Sequence, residues 1–189
     1  MVGEMRMRRA GVEELDEVCE FFWRICDECQ DDPTWPAWKR EIYPSREDLE
    51  RLLGEGSLWL GELVGERAGE LTGERAGETI ASIAVNHDVP DGYDKVAWPS
   101  GLPAEESVVI HLVCVAPGWQ GRGLARQLLT FAHERAREMG ARVIRLDAMA
   151  NNVPAQRLYE SAGYARVGEA SILYEDTGWA DFVMYEYAL

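Results

Sequence analysis

The chain is predicted to fold as one α/β domain of about seven strands and four helices, on three observations. Apolar residues recur at the helical period in some segments, and in others form strand-length runs bounded by Gly, Pro, Asn or Asp. The two kinds of segment alternate along the chain. Of 189 residues, 47% are hydrophobic and 10% aromatic, which suits a globular protein with a sizeable core.

Residues 5–10 alternate in polarity as an opening strand. Residues 12–30 form a helix with Leu15, Val18, Cys19, Phe22, Ile25, Cys26 and Cys29 at helical spacing. Residues 31–44 contain Pro33, Pro36 and Pro44 and form a loop. Ser45, with Asp48 at the third helical position, is the start signal of a second helix. Residues 58–64 and 79–87 are strands, and 90–103 is a loop bearing Pro and Gly. A strand at 108–115 leads to a long helix, and a strand at 143–149 to a helix that Asn152 can cap and Gly163 can end. Strands near 165–174 and 180–187 close the chain. Residues 65–72 are repeated almost verbatim at 73–80. Two copies are too few for a solenoid, so an exposed hairpin tip is expected there.

Residues 113–125 are the most informative about function. An apolar strand enters a turn containing Gly121 and Gly123, and then a helix whose first N–H groups have no partner within the helix. The macrodipole adds positive potential at that end, so the turn suits a phosphate. A Cβ at Gly121 or Gly123 would obstruct phosphate oxygens approaching the backbone. A P-loop needs Lys and then Ser or Thr after its second Gly, but Leu124 and Ala125 follow Gly123. A dinucleotide fingerprint needs a third Gly where Arg126 stands.

What remains, Gln120, Gly123 and Ala125 in the form Q-x-x-G-x-A, resembles the acyl-CoA signature of the GNAT superfamily of N-acetyltransferases. Asn152, Ala155, Leu158, Tyr159, Gly163 and Tyr164 match that superfamily's N-x-x-A-x-x-L-Y-x-x-x-G-F/Y pattern at every position. The resemblance rests on motifs over residues 108–189, and on the order of elements before them. It implies a mixed, mostly antiparallel sheet flanked by about four helices. In that fold the strand before the Gly turn splays from its neighbour, and the pantetheine arm of acetyl-CoA pairs with the exposed backbone. Cofactor contacts are implied at Cys114 and Val115, at the turn residues Gln120, Gly121, Arg122, Gly123, Leu124, Ala125 and Arg126, and at Asn152 and Tyr159.

The same resemblance implies direct transfer of acetyl from acetyl-CoA to a primary amine, without a metal. The Val115 N–H would polarise the thioester carbonyl, and Tyr159 would protonate the departing thiolate. Another acyl chain, an oxygen acceptor or a non-catalytic acyl-CoA sensor remain alternatives, and a homodimer is one assembly to test. Amine attack needs a base. His111 stands four residues before Val115, so strand alternation points both side chains to one face, and its ordinary pKa suits the task. A His at the corresponding position serves the arylalkylamine branch of the superfamily. Glu105, Glu106 and His87 are reserves, and His133 is expected to face solvent. Trp35, Trp38 and Tyr43 lie where family members build an acceptor wall. With Tyr174, Glu175 and Asp176 in the last turn, they would suit a small cationic amine or a peptide amine.

Net charge is −15, but residues 121–145 hold six arginines against Glu134 and Glu138, a balance of +4 that leaves −19 elsewhere. The acidic body disfavours nucleic acid, and the basic island suits a small polyanion, with Arg122 and Arg126 the best placed for its phosphates. Arg135 and Arg137 are expected to solvate the outer helix face. No apolar run approaches the roughly 18 residues of a membrane span, and no signal-peptide core opens the chain, so the cytoplasm is expected. Cys26 and Cys29 form a lone C-x-x-C, expected to be a helical thiol pair rather than a metal or redox centre.

Overall fold

The computed structural model describes residues 4–36, 38–64, 77–174 and 178–189. Of the duplicated segment, residues 65–76 lie outside the described residues, as do Glu175 and Asp176. The strands are β1 (Glu4–Arg9), β2 (Leu58–Val64), β3 (Thr79–Asn86), β4 (Ser107–Val115), β5 (Val143–Met149), β6 (Ala165–Tyr174) and β7 (Gly178–Ala188). The helices are α1 (Leu15–Cys29), α2 (Arg46–Glu55), α3 (Leu124–Glu138) and α4 (Val153–Ser161). All seven strands join one sheet in the order β1-β2-β3-β4-β5-β7-β6. β1/β2, β2/β3, β5/β7 and β6/β7 are antiparallel, while β4/β5 is parallel. The parallel register runs from Ser107↔Val143 to Val109↔Arg145, although β4 continues to Val115 and β5 to Met149.

Cα proximity groups the chain into two compact units. The first takes the chain up to Cys29, Lys39–Ala84 and Leu112–Phe131. Its α1 buries Val18, Cys19, Phe22, Ile25, Cys26 and Cys29, the stripe that the apolar spacing defines. A single 3-10 turn (Val12–Glu14) precedes that helix, held by the Gly11 N–H donating to the Glu14 carboxylate at 2.7 Å. α2 starts at Ser45, whose Oγ accepts from the Asp48 N–H while its own N–H donates to the Asp48 carboxylate. α2 ends at Gly56, whose φ of 67° lies in the left-handed region. All four cysteines are free and buried. Burial pushes the Cys26 thiol up to about 11 and that of Cys114 higher still, so neither supplies a thiolate at neutral pH.

The second unit takes Gln30–Trp38, Val85–His111 and Ala132–Leu189. Tyr93, Val109, Ala170 and Met184 form a buried cluster there, with Val96, Trp98, Val167 and Phe182 packed against it. Beside it, Arg145 and Glu186 pair at 3.0 Å, each side chain only 6% exposed. Glu186 also accepts from the Ser100 N–H and hydroxyl; Arg145 donates to the Leu102 carbonyl and lies over the Trp98 ring. With both charges so fully satisfied, removing one partner is costly. Glu186→Ala should destabilise the protein by roughly 3 kcal/mol or more, read by chemical denaturation, because Arg145 stays buried without its counter-ion.

That pair corrects part of the charge argument. Arg145 is spent on Glu186, Arg142 on Glu106 at 2.8 Å, and Arg135 on Glu138. His133 does not face solvent either. It is half-buried, bonds the Tyr164 hydroxyl at 2.9 Å and stacks on Tyr187 with 4.3 Å between centroids. Burial lowers its pKa. Nothing local to His133 signals these two tyrosines, which lie more than thirty positions downstream. No helix among the described residues is long and apolar enough to cross a membrane.

Candidate active site

In the first unit, β4 passes through a 3-10 turn (Pro117–Trp119) into the glycine turn and α3. Gly121 and Gly123 have φ of 72° and 80°, a backbone that side-chain-bearing residues rarely adopt. A Cβ at either would have no protein atom within 4 Å, so these glycines serve the turn's conformation and leave its surface bare. The first turns of α1 and α2 hold Asp16 and Glu17, and Glu47 and Asp48; the first turn of α3 holds no acid. Its positive end is therefore left for an external anion. Leu124 is buried and contributes only main chain, while Arg126 is exposed on the same turn. Arg122 lies over the Trp119 ring at 4.5 Å and donates to the Gly118 carbonyl, which holds its cation at the turn. A pyrophosphate fits this arrangement of donors and cations.

The Gln120 Nε2 donates to the Val115 carbonyl at 3.2 Å, tying the turn back to the strand. The Ala116 N–H donates to the Ile80 carbonyl of β3 at 2.9 Å. By alternation the amide of Cys114 turns to that same side, and those of Val113 and Val115 turn away from β3. The Cys114 thiol is buried. Val113, which the motif did not single out, presents its main chain beside that of Val115. A cavity of about 840 Å³ elsewhere in this unit, along α1, holds none of these residues. Its lining has seven carboxylates against three arginines, which does not suit a diphosphate.

In the second unit, Asn152 caps α4, its Oδ1 accepting from the Ala155 N–H at 3.1 Å. Further along the same helix, Tyr159 is 5% exposed and packs edge-on to Tyr185. Its hydroxyl has no hydrogen bond among the described residues, so it is a shielded donor with its proton uncommitted. Desolvation, then the nearby Asp147 and Tyr185, raises its pKa, which keeps it protonated at neutral pH. Asp147 itself, on β5, accepts from the Tyr93 hydroxyl at 3.0 Å. Desolvation pushes its carboxyl up to about 6, the Tyr93 bond opposing.

His111 is half-buried, with Nε2 3.1 Å from the Asn86 Oδ1. The next residue, Leu112, has φ of 51°, so strict alternation is interrupted between His111 and Val115. The spacing thus no longer implies a shared face for the two side chains. His87 Nδ1 lies 2.8 Å from the Ser107 carbonyl, Glu106 is paired with Arg142, and Glu105 is exposed at the start of β4. Trp35 and Trp38 meet edge to face at 6.0 Å, and the shielded Trp35 Nε1 has no hydrogen-bond partner among the described residues. Tyr174 packs on Phe182 at 6.2 Å, and Tyr43, in the first unit, is exposed.

Residues 15–164 match the model of the acetyltransferase (GNAT) family. The chain belongs to the GNAT family. It is similar to the streptothricin acetyltransferase of Streptomyces lavendulae, 37% identical over 43% of this chain and 40% of that one. An uncharacterized N-acetyltransferase of Lactobacillus delbrueckii subsp. lactis is 31% identical over 51% of this chain and 53% of that one. The match thus spans about half or less of these curated relatives. A GNAT-family acetyltransferase from Streptococcus agalactiae shares the fold at a TM-score of 0.72 and 20% identity, over 98% of this chain and 95% of that one. The structure of yncA from Salmonella typhimurium contains its cofactor acetyl-CoA. It aligns at a TM-score of 0.62 and 18% identity over 98% of this chain and 94% of that one. Among this GNAT chain's described residues, no group of three or more His, Cys, Asp or Glu could hold a metal.

Proposed function

We propose that this protein is an N-acetyltransferase that moves acetyl from acetyl-CoA directly to a primary amine. The observation that carries the reading is the start of α3: two left-handed glycines, a bare surface, two arginines and no acidic residue in the first turn. The N–H groups of residues 121–126 would hold the pyrophosphate, with Arg122 and Arg126 neutralising its charge. Main-chain groups of Val113 and Val115 would pair with pantetheine, as an added strand pairs with a sheet edge. The Val115 N–H, fixed before substrate arrives, would stabilise the thioester oxygen as it gains charge; one such donor supplies ~3 kcal/mol.

Tyr159 would give its proton to sulfur as the C–S bond breaks. Asn152 supports this step by fixing the first turn of the helix that carries Tyr159. The aromatic rings of Trp35, Trp38 and Tyr174 would attract the charge of a small cationic or peptidyl acceptor. Thiol release measured with a panel of amines (lysine, spermidine, an aminoglycoside and a short peptide with a free N-terminus) tests the reading. At least one amine should accelerate release well above hydrolysis; acetyl-CoA binding without amine-dependent release would make the protein a sensor instead.

A further inference from the structure

The turn between β5 and α4 is pinned by several hydrogen bonds. The Ala150 N–H donates to the Asp181 carbonyl of β7 at 2.8 Å, and the Asn152 N–H to the Met149 carbonyl at 2.9 Å. Gln156 of α4 returns its Nε2 to the carbonyls of Met149 and Ala150, at 3.2 and 2.9 Å. From this turn the exposed Asn151 donates its Nδ2 to the Pro33 carbonyl at 2.8 Å, a hydrogen bond across 118 positions. A carbonyl only accepts, so the amide nitrogen of Asn151, and not its oxygen, must face Pro33. Pro33 belongs to the segment that carries Trp35 and Trp38. That segment is ordered within itself. The Asp32 carboxylate accepts from the Thr34 N–H and hydroxyl, and the Asp32 carbonyl from the main-chain N–H of Trp35. The segment also holds a cost. The Trp35 Nε1 is shielded and has no hydrogen-bond partner among the described residues, and a shielded donor without a partner is unfavourable. Left to itself, the segment would shift to give that N–H to water. The bond from Asn151 opposes the shift.

We propose that Asn151 is a positioning residue for the acceptor: it holds the segment carrying Trp35 and Trp38 in the conformation that receives the amine. The inference rests on the transferase reading above, in which those two rings attract a cationic amine. Such a contact depends on how the ring face meets the charge, so a segment that shifts loses it even with both indoles present. Asn151 acts through Trp35 and takes no part in proton or acyl transfer. Its neighbour Asn152 caps α4, the helix that carries Tyr159. Two adjacent side chains therefore fix two different parts: Asn152 the helix of the proton donor, and Asn151 the aromatic wall of the amine site. The effect of losing Asn151 falls on amine capture, with the chemical step and acetyl-CoA binding spared.

The test is the amine KM and kcat with the panel amines in wild type, Asn151→Ala, Asn151→Asp, Trp35→Phe and Asn151→Ala combined with Trp35→Phe, with acetyl-CoA affinity measured by calorimetry in each. Asn151→Ala should raise the amine KM about tenfold, the effect of losing one hydrogen bond, with kcat and acetyl-CoA affinity near those of wild type. Asn151→Asp, equal in size but without the N–H donors, should raise it at least as much. Asn151 is exposed, so both variants should fold. Trp35→Phe removes the unpartnered donor and with it the reason for the segment to shift. On that background Asn151→Ala should raise KM only about twofold, a coupling that a purely structural role would not produce. An unchanged amine KM in Asn151→Ala and Asn151→Asp overturns the inference and leaves the transferase reading standing. A rise of the same size with and without the Trp35 indole overturns it equally. Acetyl-CoA binding by wild type without CoA release for any amine overturns the transferase reading, and this inference with it.

Discussion

Gly123→Glu should weaken acetyl-CoA binding at least a hundredfold, measured by calorimetry. Two effects act together. A side chain at a φ of 80° carries a conformational cost of ~1–2 kcal/mol, which distorts the turn. The carboxylate would also stand in the bare space that the diphosphate needs, where like charges at about 4 Å repel by about 4 kcal/mol at an effective dielectric near 20. No protein atom lies within 4 Å of that Cβ, so the fold should tolerate the substitution and the melting temperature should fall only modestly. Gly123→Ala separates the terms: it keeps most of the conformational cost without the charge, and should lose far less affinity.

Tyr159→Phe should lower kcat by a hundredfold or more while acetyl-CoA affinity stays near that of wild type. The aromatic ring remains to pack on Tyr185 and Tyr164, and the hydroxyl that is lost forms no hydrogen bond among the described residues. Little stability is therefore at stake, and the loss should fall on the chemical step. A thioester with a more acidic leaving thiol needs less protonation and should recover part of the rate. A kcat unchanged for acetyl-CoA itself would remove Tyr159 from the chemistry.

The parts of the fold that were legible in the sequence are those set by local chemistry. Ser45 with Asp48, the stripe on α1, the cap at Asn152 and the glycines at 121 and 123 each announce a local conformation, and each forms where expected. Contacts made at long range were not legible. Glu186 neutralises Arg145 from forty-one positions away, and Tyr164 and Tyr187 cover His133, so neither the local charge balance nor the expected exposure of His133 survives folding.

Leu112 taught a different lesson. Nothing about a leucine within an apolar strand signals a left-handed φ, yet that one residue interrupts the alternation from which His111 was inferred. Asn151 left no signal either. It stands beside Asn152, whose capping role is local and legible, but its partner Pro33 lies 118 positions away.

The central claim is that main-chain amides at the start of α3 hold the diphosphate of acetyl-CoA. A crystal structure of the protein with acetyl-CoA tests it most directly. The account predicts diphosphate oxygens within hydrogen-bond distance of N–H groups from residues 121–126, and the thioester oxygen on the Val115 N–H. Acetyl-CoA bound elsewhere, with that turn bare, would contradict it.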